Sequence, residues 1–418
     1  MKKPELLIPA GSPEAFTTAV RYGADAIYIG GEAFGLRAAA KNFGPAEMAE
    51  AIRYAHAHGV KVYVTANILA HDSDLADAEE YLAETAKLHP DAYIISDPGM
   101  FAIAKRVAPE IDIHISTQAN NTNYGTYNFW YGLGAKRVVA ARELSLAEIR
   151  DIREHIPEDR EIEAFIHGAM CISYSGRCLL SNYLAARDAN RGACTHPCRW
   201  KYSVVEETRP GEYLPVVENE RGTFIFNSKD LCMIEYIPEM IDAGINSFKV
   251  EGRMKTALYV ATMARTYRNA IDDYFESPAK YRANLETYKA EIGKCTFREY
   301  TTGFFFHKPT EETQIYDNST YVKNYTYVGK VEAIGEDGSV CFEQKNKFCV
   351  GDTVEIMKPD GRNIPLIVKE IFGDGKAMQS APHPKQSLQV IAEDAAAQGT
   401  EKGAEVGDIL RIKTENQN

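Results

Sequence analysis

A regular alternation of short apolar runs with amphipathic helical stretches fills the first 275 residues, and few folds accommodate it. ELLIPAG (5–11), AIYIGG (26–31), KVYVTANI (61–68), AYIISD (92–97), IDIHISTQ (111–118), RVVAAR (137–142), EIEAFIHG (161–168) and SFKVEGR (247–253) read as eight strands. Helices are predicted between them. Ser12-Pro13 and Asp97-Pro98 are cap-and-first-residue pairs, and Ser145 with Glu148 forms a capping box. Met48, Ala51, Ile52 and Ala55 recur on one helical face, and a long helix is predicted over 256–275. TFIFNS (223–228) reads as one more short strand, of the barrel or of a loop hairpin. About eight strand–helix units predict an α/β fold, a (β/α)8 TIM-like barrel. An open dinucleotide-binding sheet is disfavoured, because no G-x-G-x-x-G follows any strand.

The expected domains follow. Residues 1–275 form the barrel, interrupted by a cysteine-rich insertion at about 169–222. Residues 276–320 are polar, with an aromatic cluster at Phe304, Phe305 and Phe306, and read as a linker. Over 321–418 come YTYVGKVEAI, SVCFEQ, DTVEIMKP, IPLIVKEIF and DILRIKT, with Asp337-Gly338 and Asp360-Gly361 as hairpin turns. That pattern predicts a small C-terminal antiparallel β-barrel.

In barrels of this kind the chemistry sits at the C-terminal strand ends. Those ends carry Glu32, Asn67, Asp97, Gln118, Arg142, His167, Lys229, Glu251 and Arg253. Arg37, Arg142 and Arg253 are suited to hold carboxylate or phosphate groups by bidentate forks. His114 or His167 could serve as a general base. The bland alternative is mutual pairing, since ion-pair networks also gather at a barrel mouth.

The insertion holds Cys171, Cys178, Cys194 and Cys198, spaced C-x6-C-x15-C-x3-C. Structural zinc prefers two short knuckles, and only the last pair has that form. A [4Fe–4S] cluster has separate corners and tolerates irregular loop spacing. The set is therefore open to a cluster, zinc or metal-free thiols, and Cys232 could replace one member. Cys295, Cys341 and Cys349 read as structural.

A protein that is 45% hydrophobic and 25% charged, with no long uncharged apolar run, is expected to be cytoplasmic and to span no membrane. Its cysteines are then expected to be reduced, metal-bound or catalytic. A net charge of −12 argues against nucleic-acid binding by the whole surface. A local patch of Arg177, Arg187, Arg191, Arg199 and Lys201 remains available. There is no H-E-x-x-H and no G-x-S-x-G. A peptidase would have to pair Cys171 with His167.

EAFIHGAMCISYSGRCLLS (163–181) resembles the signature of the collagenase-like peptidases, unclassified peptidase family 32. PELLIPAGSPEAF, DAIYIGGEAFGLRA, HISTQANNTN, RGACTHPCRWKY and SFKVEGRMK extend the resemblance over essentially the whole chain. It is similar to the tRNA-hydroxylation branch, whose members install a 5-hydroxyl on the wobble uridine of tRNA with prephenate as co-substrate. Sister proteins hydroxylate a ribosomal cytidine or act in quinone synthesis with a [4Fe–4S] cluster. The resemblance implies cluster ligands at Cys171 (of GAMC), Cys178 (of GRC), Cys194 (of RGAC) and Cys198. It gives the arginines a purpose, because prephenate is a dicarboxylate. The candidate catalytic set is Arg37, Gln118, Arg142, His167, Glu251 and Arg253. Trp200, Tyr202 or Tyr183 could stack on an extruded base. A peptidase and a non-catalytic RNA-binding protein are the alternatives.

Overall fold

The computed structural model describes residues 2–36, 42–171, 173–200, 218–219, 222–223, 228–308, 322–394 and 403–414. They form two compact units. One comprises 1–16, 25–254 and 298–320, and the other 17–24, 255–297 and 321–418.

The first unit is the barrel. Its strands are β1 (Glu5–Pro9), β2 (Ala26–Gly30), β3 (Lys61–Ala66), β4 (Ala92–Ile95), β5 (Asp112–Ile115), β6 (Arg137–Val139), β7 (Glu161–Ala169) and β8 (Ser247–Val250). Neighbours pair in parallel from β1 to β7, and β8 lies between β7 and β1, closing the ring. Such strands are covered on both faces, so they read as apolar runs rather than as alternation. Leu7, Ala26, Tyr28, Tyr63, Ala92 and Ile94 meet in one interior cluster. The expected caps are present. Asp97 Oδ1 accepts from the amides of Gly99 and Met100 at 2.8 and 3.0 Å, and Ser145 and Glu148 close their box.

Charge also fills the interior. Arg137, 2% exposed, donates to Glu5 at 2.6 Å, to Glu161 at 2.7 Å and to fully buried Glu163 at 3.0 Å. Glu163 Oε1 accepts from Lys249 at 2.7 Å, and Tyr63 and Ser247 hydroxyls donate to Glu5 at 2.7 and 3.1 Å. Residues two apart on a strand share a face, so Glu161 and Glu163, like Ser247 and Lys249, both point inward.

The reading of TFIFNS as a strand falls largely on 224–227, outside the described residues. A short strand, Asp230–Cys232, runs antiparallel to the end of β7, with Tyr300–Thr301 beside it.

The second unit contains an antiparallel barrel as well as helices. Its strands are β9 (Tyr325–Ile334), β10 (Val340–Glu343), β11 (Thr353–Met357), β12 (Asn363–Gly373), β13 (Ser387–Asp394) and β14 (Ile409–Lys413). They close in the order β11-β14-β9-β10-β13-β12 and back to β11. Gly338 and Gly361 adopt φ of +80° and +97° at the two expected hairpin turns. Strand β13 has no counterpart in the sequence reading.

The stretch 276–320 is not simply a linker. Helices Pro278–Ala283 and Leu285–Ile292 occupy its first part, burying Tyr281, Tyr288 and Ile292. Three widely spaced apolar residues among charges gave too weak a helical pattern to read. Nor does the compact division fall at 275. The helix Ala257–Glu276, capped by Thr256, groups with the antiparallel barrel because Arg265 donates to the Lys358 carbonyl at 2.9 Å and pairs with Glu291. Residues 17–24 group there too, through Arg21–Asp408 at 2.8 Å.

Arg137→Ala removes the one cation shared by three carboxylates. It is expected to cost about 3–5 kcal/mol in a urea titration. Glu291 makes a second, pH-dependent test. Burial raises its pKa, but Arg411 and Arg265 outweigh that and bring it to about 2. A depressed carboxylate stabilises above its unfolded pKa, near 4.5, and the gain is lost as pH falls toward 2. Glu291→Gln is therefore expected to flatten the stability profile across that window, read by thermal melts at stepped pH.

Candidate active site

Strands β2–β8 and the residues that follow them line one cavity at the barrel mouth. Asn67, Gln118, Arg142, Lys249, Glu251 and Arg253 supply its polar wall. Three of these are cations and one is a carboxylate. Arg253, 6% exposed, donates from Nη1 to Thr65 Oγ1 at 3.0 Å. Gly30 makes room for it, since a Cβ there would stand 1.9 Å from that Nη1. Lys249 Nζ lies 4.6 Å from the Tyr28 ring centroid while holding Glu163. Burial lowers its pKa and Glu163 opposes that shift.

Arg142 is the link to the insertion. It donates from Nη1 to the Ala169 carbonyl and from Nη2 to Ser175 Oγ, both at 2.8 Å, and its buried Nε has no hydrogen-bond partner among the described residues. Burial works against its charge, but Cys171, Glu143 and Glu251 together outweigh burial and raise its pKa.

Behind Arg142 lies a second cavity, and Cys171, Cys178, Cys194 and Cys198 all line it. The two cavities share Leu36, Gln118 and Arg142. Cys232 lines neither; it sits opposite His167 on the antiparallel strand. Among the described residues, no three His, Cys, Asp or Glu side chains are grouped to hold a single metal ion.

The structure thus brings together Gln118, Arg142, Glu251, Arg253 and, through the adjoining cavity, the four cysteines. His167 lies apart from this wall. It is buried, its ring is 5.4 Å from that of Tyr300, and it lines neither cavity. His114 is deep in the barrel, 4.6 Å from the Tyr63 ring. Burial, then the charges of Arg137 and Lys249, holds its pKa well below the usual range. Arg37 lies outside the described residues.

Asp97 is a helix cap and Lys229 pairs with Glu299 at 3.0 Å. In the basic patch, Arg191 is clamped by Asp74 with two 2.7 Å bonds, whereas Arg177 and Arg187 are exposed. Lys201 and Tyr202 lie outside the described residues, as does the Arg199 side chain. Tyr183 and Trp200 are exposed. The sequence reading missed Lys249 and Thr65. For Lys249 a signal existed, because Lys249, Glu251 and Arg253 follow at intervals of two.

Comparison with known sequences agrees with this architecture. Peptidase family U32 matches residues 11–315, and the peptidase family U32 C-terminal domain matches residues 323–411. The chain belongs to peptidase family U32. It is 42% identical over 390 residues to tRNA hydroxylation protein P1 of Bacillus subtilis (strain 168), covering 93% of this chain and 92% of that protein. It is 38% identical over 423 residues to tRNA hydroxylation protein P of Escherichia coli (strain K12), covering 91% and 92%. A third relative is the 23S rRNA 5-hydroxycytidine C2501 synthase of E. coli, 32% identical over 373 residues, or 88% of this chain and 53% of that protein. In this U32 chain, no helix among the described residues is long and apolar enough to cross a membrane.

The mouth depends on a close backbone approach. Gly168 has φ +116°, and a Cβ there would lie 2.7 Å from Glu251 Cβ and 2.9 Å from the Glu251 carbonyl oxygen. Gly168→Ala combines left-handed strain with a backbone clash. It is expected to cost about 1–3 kcal/mol by chemical denaturation, well beyond an exposed Gly132→Ala control, which meets nothing within 4 Å.

Proposed function

We propose that this protein is an RNA-modifying enzyme that hydroxylates the wobble uridine of tRNA at C5, with prephenate as co-substrate and a [4Fe–4S] cluster held by Cys171, Cys178, Cys194 and Cys198. The observation that carries the proposal is the pair of adjoining cavities, one lined by four thiols and the other by Arg142, Lys249 and Arg253, with Arg142 in both walls. The names of the relatives, tRNA hydroxylation proteins and a 5-hydroxycytidine synthase, point to the same class of reaction.

The donor set fits the cofactor. Four thiols around one cavity are the soft ligands that iron–sulfur clusters take. When bound, the cluster would supply one-electron chemistry at that wall. The chain's own residues do the rest. Arg142 and Arg253 offer planar forks to the two carboxylates of prephenate. Glu163, fixed by Arg137, holds Lys249 in the cavity wall and tempers its charge. The buried Arg142 Nε is a donor still to be satisfied, as expected of a group waiting for an anionic ligand. Exposed Arg177 and Arg187 are suited to phosphates of the RNA backbone. That local charge fits a protein whose net charge is −12.

Protein purified without oxygen is expected to hold about four irons and four sulfides per chain, lost in Cys171→Ala and Cys194→Ala. Zinc, or no metal in folded protein, would rule out the cluster. Mass spectrometry of tRNA nucleosides from cells lacking the protein should show 5-hydroxyuridine absent and restored by the wild-type chain. Arg253→Ala should restore it at least about tenfold less well, since removing such a charge-assisted contact costs more than about 1.4 kcal/mol, with iron content unchanged. Normal 5-hydroxyuridine without the protein would refute the proposal.

A further inference from the structure

A third cavity lies on the other side of Cys171, and neither the barrel mouth nor the cysteine set accounts for it. Asn120, Glu143, Tyr174, Arg177 and Phe304 line it together with Cys171. Cys171 and Tyr174 also line the cysteine cavity, so the two adjoin.

Its polar groups are arranged unlike those of an anion site. Among the described residues, Glu143 Oε2 is buried with no hydrogen-bond partner. A buried acceptor left without a donor is costly, and native proteins keep few of them. Burial moreover raises the Glu143 pKa, against the charge of Arg142. A carboxyl oxygen without a donor asks for an N–H or O–H group rather than for another carboxylate.

Asn120 is held in the left-handed region at φ +55°. Its amide donates to the Ser175 carbonyl at 2.9 Å, and its Oδ1 accepts from Arg177 Nε at 2.6 Å. Arg177 is thereby oriented, and its exposed guanidinium is suited to carbonyl or phosphate oxygens. Tyr174, 49% exposed, and Phe304 contribute ring surface. A flat ligand with an N–H edge, ring carbonyls and an attached phosphate matches this set. Enzymes that act on a base take it out of its stack into such a pocket, reading its edge and packing on its face.

We propose that this cavity is a pyrimidine-base pocket, in which Glu143 accepts the N–H of the base edge, Arg177 faces its carbonyl or phosphate oxygens, and the rings of Tyr174 and Phe304 pack on it. The assignment rests on the RNA-hydroxylation reading and extends it by naming where the base is held. It places the base beside Cys171, in a cavity that Lys249 and Arg253 do not line.

The test uses the full-length protein and fluorescent anticodon stem-loop RNA, carrying either uridine or an abasic site at the wobble position. Fluorescence anisotropy reads both affinities. Wild type is expected to prefer the uridine RNA by about tenfold or more, the range of base–aromatic stacking. Glu143→Ala and Tyr174→Ala are expected to reduce that preference below about twofold, with affinity for the abasic RNA unchanged. Glu143→Gln keeps an acceptor and Tyr174→Phe keeps a ring, so both should retain most of the preference. This rescue separates recognition from a folding defect. If all four variants discriminate like wild type, the pocket is wrong while the hydroxylation reading stands. If wild type shows no preference for the uridine RNA, the pocket is likewise wrong. Failure to bind either RNA, together with normal 5-hydroxyuridine in cells lacking the protein, would instead sink the hydroxylation reading itself.

Discussion

A single guanidinium, Arg137, bonds to the carboxylates of Glu5, Glu161 and Glu163 inside the barrel, and much of the first unit hangs on that contact. These groups come from β1, β6 and β7, and Lys249 of β8 joins through Glu163. The ladder therefore crosses the seam at which β8 closes the ring between β7 and β1. Apolar side chains would pack this seam with less desolvation cost, since buried ion pairs seldom outperform them. What the charges add is direction. A network satisfied on nearly every side permits few registers, and it ends at Lys249, in the wall of the mouth cavity.

From that wall the chemistry moves outward by contact. Arg142 belongs to the end of β6, yet its donors reach Ala169 at the end of β7 and Ser175 in the insertion. The insertion is thus anchored by a barrel residue, and Cys171 sits next to that anchor. Three cavities with distinct chemistry lie in sequence: cations at the mouth, thiols in the insertion, and aromatic rings with the Glu143 carboxyl beyond Cys171. An anion, an electron-transfer centre and a planar base would each find a matching wall, and none would compete for the same side chains except near Arg142 and Cys171.

Much of this was legible from residue order. The eight strands and their helices are local signals, set by apolar runs, caps and turns acting over a few residues. The four cysteines stood out by density, and Gln118, Arg142, Glu251 and Arg253 by position at strand ends. Other residues resisted the same reasoning. His167 sits at a strand end like the others, but the antiparallel strand Asp230–Cys232 pairs with β7 there, and its ring packs on Tyr300. Lys249 was missed, because its burial depends on Glu163 of the neighbouring strand. Glu143 follows Arg142 along the chain and feels its charge, but only the structure shows that its buried Oε2 lacks a hydrogen-bond partner among the described residues.

By itself, the sequence determined the parallel barrel, the antiparallel C-terminal barrel with its hairpin turns at Gly338 and Gly361, and the density of cysteines between β7 and β8. Each depends on interactions between near neighbours along the chain. Tertiary structure alone decided which residues share a cavity. The convergence of Cys171 with Cys198, the clearance that Gly168 leaves for Glu251, and the grouping of 255–297 with the antiparallel barrel are set by closure of a ring and by the paths of loops. Those depend on contacts between distant positions, for which spacing along the chain carries no signal.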